Sequence, residues 1–311
     1  MDCIDLDQEL GIKRPEKSFE SFEWMVKFTR QREWIEGRGL LLLMAFFFGF
    51  GAGLYLVSLY FNSLWGLSIA WFVVTFGFGG FHFIYLGRPL RAWRAVLRPQ
   101  TSWISRGIIL ALAMILIGGV QIILLKYRPE ADRQVLKIFA GLLAFLVCIY
   151  TGFVMNYVRA IPFWNNPLLP IIIVAAELLG GLAAALSIGM IVDDAIDVRT
   201  VESWSRILLT FYAVLLVVYL LSLTYGPAAG REAVRLLISG KPSYYIPFWI
   251  GLVIIGILLP LILAWYPFLL DTEIGHKWLF VAITCDVVNG LAIRYVTLKG
   301  GIYAPLIPVR G

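Results

Sequence analysis

Eight long apolar runs follow one another along the chain, and polar residues are concentrated in the segments between them. The runs cover residues 39–61, 64–86, 104–125, 136–157, 168–192, 207–225, 246–265 and 278–296. Each approaches the ~20 residues that a helix needs to cross a bilayer core. Lipid offers no partner to a backbone N–H or C=O, so each run is expected to be an α-helix. The pattern predicts an all-α integral membrane protein with eight crossings. Only Asn62 and Ser63 separate the first two runs, which predicts a tight helical hairpin. Pro89 and Pro162 follow the second and fourth runs, where a proline ends a helix. Pro170 and Pro260 come without Gly-rich interruptions, so no helix is expected to be broken.

Residues 1–37 are polar, mixed in charge and lack the apolar core of a signal peptide. Arg30–Gln31–Arg32 is not a twin-arginine signal. The segment reads as an N-terminal extension, with a short amphipathic helix around residues 19–28 placed on the membrane or on a partner. Residues 38–300 form the membrane domain and 301–311 a C-terminal tail.

Composition agrees with lipid as the solvent. Of 311 residues, 60% are hydrophobic and 15% charged, with mean hydropathy +0.83. A soluble domain is roughly 45–50% apolar and about 25% charged. The net charge of +6 matters through its distribution over loops, and no nucleic-acid partner is expected. An even number of crossings puts both termini on one side. All of the 26 basic residues fall there except Lys126, Arg128, Arg133, Lys137, Arg199, Arg206 and Lys277. The positive-inside rule makes that side cytoplasmic. The same arginines would equally dock an acidic partner, which leaves the compartment open.

The connection after the second run, GRPLRAWRAVLRPQTSW, parallels the one after the sixth, GPAAGREAVRLLISGKPSYYIPFW. Both open with Gly near Pro, carry a basic amphipathic stretch and end in aromatics. Two related four-helix halves would produce this, and so would the general preference of membrane interfaces for Gly, Pro, Arg and Trp.

Cys3, Cys148 and Cys285 are scattered without a CxxC spacing, so the chain is expected to hold no iron–sulfur cluster and no zinc. His82 and His276 fall at opposite membrane faces, ~30 Å apart, so they cannot share one haem, and no haem is expected. Each intramembrane charge costs roughly 2.5–3.5 kcal/mol, which makes Glu177 and Asp286 the leading functional carboxylates. A proton path is one reading and a satisfied structural pair the other. The hydroxyls of Tyr150, Thr151, Tyr157, Tyr212, Tyr219 and Thr224 read first as interhelical hydrogen bonds. On the termini side, Trp34, Glu36, Arg38, His82, Tyr150 and Arg159 form a polar and aromatic rim. A quinone needs an apolar slot with a few polar groups, and its redox chemistry needs proton exchange. Glu36, His82 and Tyr150 offer both.

Four stretches carry a resemblance: GFGAGLYLVSLYF, LGRPLRAWRAVLRPQTSWISRG, YTGFVMNYVRAIPFWNNPLLP and IPFWIGLVIIGILLPLIL. In order and spacing the protein resembles the polysulfide reductase membrane subunit, or NrfD-like, family over roughly residues 34–300. The resemblance implies eight core helices in two four-helix bundles with no cofactor bound in the chain. It implies a prokaryotic cell membrane, an iron–sulfur subunit as partner and a molybdopterin catalytic subunit beyond it. It further implies electron exchange with menaquinone or ubiquinone, at the head of the first helix and the end of the fourth. Carried onto this sequence, the quinone-binding set is Trp34, Glu36, Arg38 and Tyr150. The family's histidine at the head of the first helix is missing, and His82 would substitute from the second. Arg88, Arg91, Arg94 and Arg159 would dock the partner, with a lipid phosphate the other reading for Arg88 and Arg91, and Glu177 with Asp286 would carry protons. The alternatives are a proton- or ion-coupled transporter built on Glu177 and Asp286, and a purely structural anchor.

Overall fold

In a computed structural model of the protein, residues 31–130, 133–192, 195–270 and 276–304 are described. The short helix expected around residues 19–28 lies outside them. Among the described residues, eight helices are long and apolar enough to cross a membrane: α1 (Gly39–Phe61), α2 (Leu64–Tyr85), α3 (Trp103–Tyr127), α4 (Gln134–Asn156), α5 (Leu168–Ile191), α6 (Val198–Thr224), α7 (Pro242–Tyr266) and α8, whose spanning part is Phe280–Lys299. Most boundaries agree with the apolar runs. Helix α6 starts earlier because Val198–Arg206 continues its hydrogen bonding beyond the apolar stretch, with Asp197 capping the Arg199 amide.

The α1–α2 hairpin is closed by Asn62 in the left-handed region (φ 55°), which Asn tolerates better than most residues. Ser63 then caps α2 by accepting from the Gly66 amide at 2.8 Å.

The helices run unbroken but are not all regular. Helix α1 tightens after Phe46, where the Gly49 amide donates to the Phe46 carbonyl only three residues back. Helix α2 widens to π geometry over Val73–Gly79, and α7 does so over Pro247–Leu258. In α7 the wide stretch is bracketed by Pro247 and Pro260, each of which withdraws an N–H from the ladder.

Two cores result. One unites Leu54, Tyr55, Leu67, Met114 and Val147 from α1–α4 with Leu182 of α5. The other unites Ile173, Leu209, Tyr212, Leu252 and Ile293 from α5–α8 with Phe46 of α1. Helices α1 and α5 form the seam between the two bundles, and glycines let their backbones touch. A Cβ on Gly181 would collide with the Gly53 carbonyl carbon, and one on Gly53 with the Glu177 carbonyl oxygen. Small residues give membrane helices this kind of approach.

Several bonds tie the helix ends together on the termini side. Gln31 donates to the Tyr303 carbonyl and accepts from its amide, Trp34 donates to the Gly301 carbonyl, and the Ala304 amide donates to the Ala160 carbonyl. Lys299 pairs with Glu33 at 2.7 Å. Both connections singled out for internal similarity carry short helices. Pro89–Val96 is a 3-10 helix and Ala228–Ser239 an α-helix.

Candidate functional site

The deepest polar feature lies at the seam. Arg294 of α8 pairs with Glu177 of α5 at 2.8 Å, and the two side chains are 2% and 0% exposed. The tightened turn of α1 supplies a third member. The Phe46 carbonyl accepts from Arg294 Nε at 2.9 Å, while Nη1 donates to the Gly290 carbonyl at 2.8 Å. Gly49, one turn on, leaves the room the carboxylate occupies, since a Cβ there would overlap Glu177 Oε1. Three helices therefore enclose one ion pair. Burying a charge is tolerable only with such compensation.

Asp286 is not part of this pair. It sits on α8 eight residues before Arg294, ~12 Å along the axis, half-buried. Between them Asn289 accepts from the Tyr212 hydroxyl at 3.2 Å. Interhelical bonding, the first expectation for the hydroxyls, holds for Tyr212, whereas Tyr219 donates to the Phe163 carbonyl in the connection between α4 and α5. Thr224 instead bonds within its own helix, to the Leu221 carbonyl. Thr151 is different: it is buried, and its hydroxyl finds no partner among the described residues.

A second cluster lies at the termini-side ends of α2 and α4. The Phe78 ring stands 4.5 Å from that of His82 and 6.3 Å from that of Tyr150. His82 Nδ1 lies 2.8 Å from the Phe78 carbonyl. A carbonyl accepts only, so that nitrogen carries the proton and Nε2 is left as an acceptor. Tyr150 is 6% exposed and makes no hydrogen bond among the described residues. Its ring fills the space beside Gly107 of α3, where a Cβ would overlap it. The Phe46 ring lies 5.8 Å from that of His82. Phe46 thus touches both clusters, by its ring on one side and its carbonyl on the other.

The remaining predicted residues are dispersed. Trp34 packs on Trp164 and Tyr303 at 4.7 and 6.0 Å, against the end of α8. Glu36 and Arg38 are exposed, and the Arg38 guanidinium lies over Gly87 (φ 71°), at the turn that ends α2. Arg88, Arg91, Arg94 and Arg159 are all exposed.

Sequence reasoning missed Arg294 by counting it with the basic residues of the termini side. The signal was present, because Arg294 falls inside the apolar run 278–296, where a cation requires a partner. Phe46, Gly49 and Phe78 carry no sequence signal of their own, since aromatic residues and glycines are common in such helices.

Fold and site together define a multi-pass, all-α membrane protein with two bundles joined across a buried ion pair. A family model described as polysulphide reductase, NrfD, matches residues 38–305, and the protein belongs to that family. It is 24% identical over 246 residues to a protein of Haemophilus influenzae named Protein NrfD homolog, covering 70% of this sequence and 75% of that one. It is 26% identical over 197 residues to Protein NrfD of Escherichia coli, covering 60% and 58%. It is 26% identical over 174 residues to the C subunit of polysulfide reductase from Wolinella succinogenes, covering 53% of each. The match thus spans little more than half the length of the last two.

Proposed function

We propose that this protein is the quinone-reactive membrane subunit of a multisubunit respiratory oxidoreductase. It exchanges electrons between a membrane quinone, menaquinone or ubiquinone, and an iron–sulfur subunit docked on the termini side. A molybdopterin subunit beyond it acts on the terminal substrate, for which a sulfur compound is the leading candidate. The observation that carries this reading is the His82–Phe78–Tyr150 cluster. Two polar groups at one end of the bundle flank an aromatic ring, and each keeps an atom without a protein partner among the described residues.

The two groups divide the proton chemistry. Tyr150 can donate its O–H to a quinone oxygen. His82 Nε2, as an acceptor, can take a proton from a quinol hydroxyl while electrons leave for the partner. Phe78 provides the apolar face for the ring. Glu177 and Asp286 extend the reading as a proton path, since α8 carries Asp286, Asn289 and Arg294 in order toward the termini side. No observation favours an ion-coupled transporter. Its two carboxylates would have to share one ion, and Asp286 lies ~12 Å along α8 from the Arg294 that pairs with Glu177.

The reading is tested with the intact complex and a quinone-analogue inhibitor carrying a photoreactive ring. Labelling of α2 and α4 near His82 and Tyr150, competed by excess quinone, is the expected result. A complex that exchanges no electrons with quinone would leave only the structural-anchor alternative.

A further inference from the structure

The connection between α2 and α3 has a geometry that its sequence does not announce. Pro89–Val96 winds as a 3-10 helix. Such a helix has three residues per turn, so side chains three apart stand in line. Arg91 and Arg94, with Arg88 at the preceding cap position, share one edge. Leu90, Trp93 and Val96 share the second, and Ala92 and Ala95 the third. An α-helix of the same sequence would smear these edges, since its period is 3.6.

The Ala95 carbonyl accepts from the Ser105 hydroxyl at the start of α3, which holds the alanine edge inward. Arg106 of α3 further pins the turn that follows, donating to the Pro99 and Gln100 carbonyls at 2.7 and 2.8 Å. On the apolar edge Leu90 is 93% and Trp93 60% exposed among the described residues, and Val96 is half-buried. Arg88, Arg91 and Arg94 are exposed, and none makes an ion pair or a hydrogen bond with another side chain among the described residues. The Arg94 guanidinium lies 5.3 Å from the centre of the neighbouring Trp93 ring, which joins the cationic edge to the apolar one.

The apolar edge adjoins helix surfaces that face lipid. Phe83, Ile84 and Leu86 at the end of α2 and Ile104 at the start of α3 are each more than a third exposed. An uncovered apolar edge continuous with a lipid-facing band, beside an edge of cations without anionic partners, is the pattern of an interfacial helix. We propose that Pro89–Val96 is an anionic-phospholipid site. Leu90 and Trp93 would enter the acyl boundary, and Arg88, Arg91 and Arg94 would bind headgroup phosphates. For Arg88 and Arg91 the sequence leaves partner docking and a lipid phosphate open, and this assigns them, with Arg94, to lipid. Continuity of Leu90 and Trp93 with the exposed apolar ends of α2 and α3 argues for it.

The test uses the full-length protein, purified with its partner subunits, in nanodiscs of phosphatidylcholine with or without phosphatidylglycerol or cardiolipin. Bound lipid is read by native mass spectrometry. A cation near an anionic membrane surface strengthens binding about five-fold. The triple variant Arg88→Gln/Arg91→Gln/Arg94→Gln should therefore retain at least ~10-fold less anionic phospholipid, with phosphatidylcholine unchanged. The all-lysine triple variant, which keeps the charge, should retain most of it and guards against misfolding. Lys126→Gln/Arg128→Gln on the opposite face should have no effect. Unchanged anionic lipid in the glutamine variant would overturn the proposal. So would loss of the soluble subunits with lipid retained, which would make the edge a protein-docking surface.

Discussion

Arg294 and Glu177 meet at 2.8 Å in the seam between two helical bundles, and the backbone of a third helix completes their cage. Removing one partner leaves an uncompensated buried charge, which costs about 3–5 kcal/mol. Arg294→Met and Glu177→Leu are each expected to lower thermal stability strongly. Glu177→Leu/Arg294→Met should recover most of the loss, because it removes both charges at similar volume. A double-mutant cycle in detergent measures this, and additive single losses would contradict it.

Glycine positions give a matched set. Gly49→Ala would press a methyl into the Glu177 carboxylate, and Gly53→Ala into the Glu177 backbone. Each is expected to cost about 1–3 kcal/mol, the usual range for overpacking. Gly80→Ala meets nothing within 4 Å and should be neutral or slightly stabilising. Melting temperatures of the three variants decide the point.

The space beside Gly107 is filled by the Tyr150 ring. Gly107→Ala should displace that ring and reduce quinone turnover as strongly as Tyr150→Phe does. The readout that separates positioning from simple damage is kinetic. The apparent KM for quinone and kcat should change while the melting temperature moves by only a few degrees.

The sequence groups Trp34 with the quinone site, yet the residue holds the end of α8 through Gly301, Trp164 and Tyr303. Trp34→Phe removes the hydrogen bond, worth about 0.5–1.5 kcal/mol. It should lower stability and leave quinone affinity unchanged. A shift in quinone KM without a stability loss would restore Trp34 to the site.

How much is legible in the sequence follows from the range of each signal. The eight crossings and the Asn62–Ser63 hairpin are readable because lipid imposes length and local turn chemistry imposes the cap. The two-bundle arrangement enters through the family resemblance of motifs such as LGRP and YTG, not through periodicity. The Glu177–Arg294 pair is half legible, since the carboxylate stands out while the arginine reads as part of a helix end. The meeting of His82 with Tyr150 around Phe78 depends on how α2 and α4 pack, which no local pattern encodes. The 3-10 and π stretches are invisible for the same reason, because their hydrogen-bond register is set by neighbours and not by composition.

Quinone reactivity at the His82–Phe78–Tyr150 cluster is tested most directly by steady-state electron exchange between a quinone and the iron–sulfur subunit in the purified complex. The measurement compares wild type, His82→Ala, Tyr150→Phe and the distant Tyr212→Phe. Loss of a positioned proton donor or acceptor costs about 10²–10⁴ in rate. His82→Ala and Tyr150→Phe should each fall by at least ~10²-fold with the complex intact, and Tyr212→Phe should stay near wild type. Full electron exchange in both cluster variants would contradict the account.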